Sequence, residues 1–259
     1  QFNMAKQIPG KEEFEETLRY FRTRIAKSGV DLRLETPATV DNLREFDEVI
    51  LATGVSPRQL NLPGIDHEKV LSYVEVLREK KHVGERVAII GAGGIGFDIA
   101  EYLAHEGESP SLDTELFMKQ WGVDMEHTTA GGLTEPEHHA PARQITLCQR
   151  SEGKLGAGLG KTTGWIHRAS LKNFDVEMLS ECAYHKIDDH GLHITVKGRR
   201  RILAVDNVII CAGQVPARDL AKPLERAGIK VTLIGGADVA AELDAKRAID
   251  QGTRLAAAL

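Results

Sequence analysis

The clearest chemistry in the chain lies in six residues, Gly91-Ala92-Gly93-Gly94-Ile95-Gly96. They follow the apolar run Arg86 to Ile90 and open onto a helical pattern reaching about Ala104. Glycines at this spacing between a strand and a helix suit a pyrophosphate. Gly91 permits a tight turn, Gly93 lets the anion approach the backbone, and Gly96 lets helix and strand pack closely. Together with Gly94 they leave the first N–H groups of the helix facing negative charge. The pattern points to a nicotinamide dinucleotide.

Selectivity between the two nicotinamide cofactors is set at the end of the next strand, where an acidic residue would accept hydrogen bonds from a ribose 2′-hydroxyl. That strand, Gln144 to Cys148, ends instead in Gln149 and Arg150, with Lys154 close behind. An amide and two cations suit a dianionic 2′-phosphate, so NADP(H) is expected rather than NAD(H). The loop containing Gly153, Gly156, Gly158 and Gly160 belongs near the adenosine end, with Lys161 as a further phosphate contact. Gly160-Lys161-Thr162 imitates the end of a Walker loop, but that motif needs a glycine where Leu155 stands, which argues against ATP. Trp165 and His167 read as a packed aromatic and a satisfied imidazole, and Cys211 as core. His127, His138 and His139 lack metal-ligand spacing and read as surface residues. No residue is assigned a catalytic or metal-binding role.

The elements that must position these groups follow from periodicity. Glu12 to Ala26 carries Phe14, Leu18, Phe21 and Ile25 at helical spacing, a surface helix. Val30 to Leu34 alternates like a strand and should share a sheet with Glu48 to Leu51. Residues 55–66, with Pro57, Pro63 and Gly64, predict an extended connection, and a boundary is expected near residue 80. Residues 105–142 are too long for an ordinary connection and predict a surface excursion. Thr162 to Asn173 predicts a helix. Segments 176–180, 182–187, 191–196 and 199–204 predict an antiparallel patch ending at Asp206 to Cys211. Val231 to Ile234 predicts a strand before a final alanine-rich helix. Val49-Ile50-Leu51-Ala52-Thr53-Gly54 is echoed by Val208-Ile209-Ile210-Cys211-Ala212-Gly213, one strand type with one small-residue exit.

Composition excludes other classes. A net charge of −5 from 33 basic and 38 acidic residues gives no bulk field for nucleic acid or an anionic membrane. Three cysteines, Cys148, Cys182 and Cys211, are too few and too scattered for a disulfide framework or a cluster. No apolar run is long enough to span a membrane and no signal sequence is evident, so a reducing cytoplasm is the expected setting. The chain opens on Gln1 and its first recognisable element is already a helix, which reads as a piece of a longer polypeptide.

The two strand exits, the GAGGIG turn between them and Leu233-Ile234-Gly235-Gly236 resemble the paired-dinucleotide flavoprotein reductases. The fold class this implies is α/β: a Rossmann-like NADP domain inserted into a partial FAD-binding Rossmann-like domain. Residues 1–80 would form the first FAD part, 81–214 the NADPH domain, and 215–259 the last FAD strand and helix. The stretches 1–12 (Gln-Phe-Asn-Met-Ala-Lys-Gln-Ile-Pro-Gly-Lys-Glu), 160–168 (Gly-Lys-Thr-Thr-Gly-Trp-Ile-His-Arg) and Glu242-Leu243-Asp244-Ala245 are similar to the bacterial NADPH-dependent 2,4-dienoyl-CoA reductase family. That family belongs to the old yellow enzyme/trimethylamine dehydrogenase-like flavoproteins and serves unsaturated fatty acid β-oxidation. The resemblance implies NADPH contacts at Gly91, Gly93, Gly96 and Arg150, flanked by Ala212 and Gly213. It implies FAD contacts near Gln1, Ala38, Thr53, Gly54, Gly235 and Asp238. The usual Gly-Asp of the last flavin motif is replaced here by Gly235-Gly236. FMN, a 4Fe-4S cluster and the dienoyl-CoA site are implied only in an N-terminal part of the same polypeptide that lies outside this chain. The chain alone should not reduce dienoyl-CoA. A reductase region of another FAD/NAD(P) flavoprotein and a non-redox NADP-binding module are the alternatives.

Overall fold

A computed structural model describes residues 1–241 and 244–259, so Glu242 and Leu243, part of one stretch carrying the resemblance, lie outside the described residues. The chain divides into two compact units. One comprises Gln1–Ser28 and Leu60–Ala212, the other Gly29–Gln59 and Gly213–Leu259. The expected bounds at 80 and 214 differ from this division, because residues 1–28 and 60–80 pack with the nucleotide-type unit.

The larger unit is built on five parallel strands in the spatial order Val70–Ser72, Asn207–Ile210, Arg86–Ile90, Gln144–Cys148 and Glu177–Leu179. The central strands are apolar throughout because both faces are covered. Val87, Ile89, Leu147 and Ile209 face a core shared with the Gly94–Ala104 and Gly164–Asn173 helices. Ala88, Ile90, Cys148, Val208 and Ile210 face a second core closed by an antiparallel sheet of Cys182–Asp188, Gly191–Val196 and Arg199–Leu203. Alternation alone predicts 176–180 and 206–211 in that antiparallel patch. Both belong to the parallel sheet instead: a crossover helix before Glu177, and the antiparallel sheet as the crossover before Asn207, each return the chain in the same direction.

Arg86 begins the central strand and Asp206 immediately precedes its neighbour. The Asp206 carboxylate accepts from the Arg86 backbone N–H at 2.8 Å and from the guanidinium at 2.6 Å. These bonds hold the Asp206 carboxyl down at about 2. A depressed folded-state pKa contributes stability above the unfolded value near 4, and that contribution is lost as pH falls through about 2. Asp206→Asn is therefore expected to be less stable than the parent protein at neutral pH, with the gap closing toward pH 2. Denaturant midpoints across that range would measure it, and a gap that does not narrow in acid would contradict the assignment.

The smaller unit holds the parallel pair Glu48–Leu51 and Lys230–Leu233 and the antiparallel pair Val55–Pro57 and Gln214–Pro216. Val49 and Leu51 pack on Ala221 and Leu224 of the Ala221–Arg226 helix. Glu48 accepts from Lys230 and Thr232, each at 2.8 Å, fixing the register of the parallel pair. Two expectations fail here. Part of the predicted connection 55–66 is a strand. Residues 30–34 form none: Val30, Leu32 and Leu34 are exposed, and Glu35 turns the chain at φ +53°. Alternation without a partner to complete the ladder does not make a strand.

The excursion at 105–142 is locally organised. Asp113 caps the Thr114–Gln120 helix, and Val123 bridges Leu133. Asp124 accepts from the backbone N–H and hydroxyl of both Thr128 and Thr129 at 2.7–3.0 Å, which holds its carboxyl well below the usual carboxylate range. No helix among the described residues is long and apolar enough to cross a membrane.

Candidate dinucleotide-binding site

The turn after Arg86–Ile90 is shaped by contacts that exclude any side chain at two of its glycines. Gly91 adopts φ +111°, and a Cβ there would stand 2.5 Å from the Cys211 carbonyl oxygen and 3.1 Å from Ala212 Cα. Its N–H donates to the Cys148 carbonyl at 2.9 Å. A Cβ on Gly96 would meet the Gly91 carbonyl oxygen at 1.8 Å, so the helix crosses its own entry turn in direct backbone contact. Gly93 is the N-cap of the Gly94–Ala104 helix, and positions 93 and 94 both open onto empty space where a Cβ would stand. The helix start has no side-chain cap and no acidic residue in its first turn. It therefore presents N–H groups and the positive end of the helix dipole to open space, as a pyrophosphate requires.

The adjacent strand ends level with this turn, Ile90 pairing with Cys148. Gln149 follows, its side-chain amide donating to the Ser151 carbonyl at 3.2 Å, and then the exposed Arg150. Beyond them the glycine-rich loop is anchored by buried Leu155 and by Gly156, which lies against the Phe97 ring. Arg168 donates to the Gly156 carbonyl at 3.0 Å. Phe97 is the residue after Gly96 and is itself buried, so the loop rests on the helix that opens at the glycine turn. Lys154 and Lys161 are exposed on this loop. Gly91, Gly93, Gly94, Gly96, Gln149, Arg150, Lys154, Lys161 and Ala212 thus all lie in the larger unit, on the turns and loops that follow neighbouring strands of its sheet.

Two long-range ties have no signature in the sequence. Glu101, one helical turn beyond Phe97, accepts from Ser170 at 2.8 Å and bonds His167 Nδ1 at 3.2 Å, tying the two helices together. Lys11 pairs with Asp98 at 2.6 Å, fastening the N-terminal segment to the same helix. These partners are separated by 66 or more residues, with no local pattern to signal them. His167 is satisfied, as expected, but Trp165 is 57% exposed rather than packed inside. Cys211 is buried, and burial pushes its thiol up.

Ala38, Thr53, Gly54, Gly213, Gly235 and Asp238 fall in the smaller unit, while Gln1 falls in the larger. Thr53 donates its hydroxyl to the Ala217 carbonyl, and Gly54 turns at φ +75° with nothing where a Cβ would stand. Gly213, at φ +97°, lies against the Arg58 guanidinium. Gln251 accepts from the Gly235 N–H at 2.7 Å and donates to Asp238 at 2.9 Å. An open glycine turn after one strand and an oriented carboxylate after its parallel neighbour suit the hydroxyls and ring edge of a flavin. Ala38 is exposed just before the Thr39-capped Val40–Leu43 helix.

Comparison with known proteins agrees with this geometry. The chain is 27% identical over 245 residues to a metal reductase of Desulforamulus reducens, covering 92% of this chain and 35% of that protein. It is 28% identical over 222 residues to a cinnamate reductase of Clostridium sporogenes, covering 82% and 28%. The chain therefore spans about a third of the length of these relatives. A solved 2-naphthoyl-CoA reductase superposes with a TM-score of 0.78 at 21% identity, over 98% of this chain and 33% of the other. Histamine dehydrogenase from Rhizobium sp. 4-9 gives 0.71 at 16%, over 98% and 37%. Both show the shared fold. The model of the pyridine nucleotide-disulphide oxidoreductases matches residues 8–248, which implies flavin and a pyridine nucleotide as ligands. With that match over a glycine turn shaped for a dinucleotide, the chain belongs to the pyridine nucleotide-disulphide oxidoreductase family, as a flavin-dependent oxidoreductase module.

Proposed function

We propose that this chain is the NADPH-oxidising, FAD-bearing part of a larger cytoplasmic flavoprotein of the 2,4-dienoyl-CoA reductase type. The carrying observation is the pairing of the GAGGIG turn with a second strand that ends in Gln149-Arg150 rather than an acidic residue. The helix N-terminus holds the pyrophosphate, and Gly93 lets it reach the backbone. Arg150 and Lys154 hold the 2′-phosphate, which hydroxyl-accepting carboxylates would repel, and Lys161 adds a further cation. Thr53, Gly54, Gly235 and Asp238 of the smaller unit, with Ala38 of the same unit beside them, contact FAD. When bound, FAD supplies the ring that accepts hydride from the nicotinamide. The residues of this chain bind and orient the two cofactors, and no acid or base among them is required.

The FMN and 4Fe-4S groups implied by the resemblance, and the dienoyl thioester they reduce, belong to a part of the polypeptide outside this chain. The fold shared with a CoA-thioester reductase, and kinship with a cinnamate reductase, support a conjugated acyl group as the final acceptor. The test is parallel titration of the purified chain, supplied with FAD, with NADPH and NADH. The expected result is tighter binding of NADPH and loss of oxidised-flavin absorption on its addition, without reduction of a dienoyl-CoA. Preference for NADH would overturn the cofactor assignment. NADPH binding without any flavin uptake would leave a nucleotide-binding module alone.

A further inference from the structure

The excursion at 105–142 leaves the C-terminal end of the Gly94–Ala104 helix and returns there, the Ala142 N–H donating to the Ala104 carbonyl at 2.9 Å. That end is remote from the nucleotide edge of the sheet, because the helix begins at the glycine turn and runs away from it. Yet Trp121, in the middle of the excursion, meets Trp165 edge-on, their ring centroids 6.5 Å apart at 75°. Trp165 is the second residue of the Gly164–Asn173 helix. This helix connects the end of one parallel strand to the start of the next, so its first turn lies at the nucleotide edge. The excursion thus brings an aromatic ring of its own edge-on to Trp165.

Trp165 is held in place without being covered. Its neighbour Gly164 is buried, with Leu159 Cβ only 2.9 Å from where a Cβ would stand, so the helix start is seated on the glycine-rich loop. That loop rests on Phe97 through Gly156. Trp121, edge-on to Trp165, is itself flanked by Phe117 at 6.2 Å. More than half of the Trp165 surface nevertheless remains open to solvent. An indole held by an edge-on neighbour and still exposed to solvent offers a stacking platform. Its side of the sheet identifies the ring it would take. The strand Gln144–Cys148 lies on the side of Arg86–Ile90 away from Asn207–Ile210, and a dinucleotide crossing the glycine turn places its adenosine toward that second strand.

We infer that Trp165 is the stacking platform for the adenine ring of the dinucleotide, and that the 105–142 excursion exists to brace it through Trp121. This rests on the dinucleotide site proposed above and adds a ring contact to its phosphate contacts. Trp165 binds the ligand, and Trp121 is a positioning residue.

The chain contains two tryptophans, so emission excited at the red edge, where its four tyrosines do not absorb, reports on this pair alone. Adenosine 2′,5′-bisphosphate, which lacks the nicotinamide chromophore, is the probe, with calorimetry as an independent measure of binding. It is expected to quench the emission of the parent protein and of Trp121→Phe, in which Trp165 is the sole indole, and to leave that of Trp165→Phe nearly unchanged. Trp165→Ala is expected to weaken binding about tenfold, and Trp165→Phe, which keeps an aromatic face, to recover most of it. Calorimetric binding with unchanged emission and an unchanged Kd in Trp165→Ala would overturn the platform while leaving the phosphate site standing. No binding to the parent protein would overturn both.

Discussion

Replacing Arg150 by alanine is expected to weaken NADPH binding by roughly 10- to 150-fold, equivalent to about 1.5–3 kcal/mol, the range for a hydrogen bond to a charged group. NADH binding should be almost unaffected, because the ribose 2′-hydroxyl offers Arg150 no charge to meet. Arg150 is exposed, so solvent screens its interaction with the 2′-phosphate and the effect should shrink as ionic strength rises. Lys154 and Lys161 lie on the same loop system, and in the proposed site they would share the anion, which favours the lower end of the range. Titrations of parent and variant with both nucleotides at two salt concentrations measure the selectivity directly. Equal losses for NADPH and NADH would move Arg150 onto the shared pyrophosphate. No loss for either would place the 2′-phosphate elsewhere on the loop.

The glycine turn was legible in the sequence because each of its requirements is local. An apolar strand, glycines at fixed spacing and a helix start appear within one short stretch, and the close approach of Gly96 to Gly91 is what that spacing encodes. The parallel order of the sheet was less legible. Glu177–Leu179 and Asn207–Ile210 are short apolar runs of the same character as the antiparallel strands between them, and only the direction of the preceding crossover separates the two cases. The alternation at 30–34 misled for the converse reason: period two describes a strand only when a neighbour completes its hydrogen bonds. The exposure of Trp165 could not be read at all. A tryptophan at the start of a helix is ordinarily core, and the contact that fixes it comes from a residue 44 positions away (165 − 121) in a segment of weak periodicity.

Gly96 and Gly93 are expected to separate architecture from binding within a single motif. In an ordinary helix interior, replacing glycine by alanine gains about 1 kcal/mol of helix propensity. At position 96 the added methyl would stand 1.8 Å from the Gly91 carbonyl oxygen, a backbone atom of a turn whose own N–H is bonded to the Cys148 carbonyl. Overpacking of this kind costs about 1–3 kcal/mol, and more where the obstacle is main chain. The clash therefore wins, and Gly96→Ala should lose about 2 kcal/mol net, a fall in Tm of about 4–8 °C for a chain of this size. Gly93 differs in both respects. Its φ of −83° is open to any residue, and nothing lies within 4 Å of its Cβ position. Gly93→Ala should keep the Tm of the parent protein, because the space its methyl enters belongs to the ligand. Its NADPH affinity should nonetheless fall at least about tenfold, since the pyrophosphate loses its close approach to the backbone N–H groups. Thermal unfolding and nucleotide titration of the two variants side by side would show the division. A Gly96→Ala protein as stable as the parent would mean that helix and turn are not in backbone contact. A Gly93→Ala protein with undiminished affinity would mean that the pyrophosphate does not sit in this cradle.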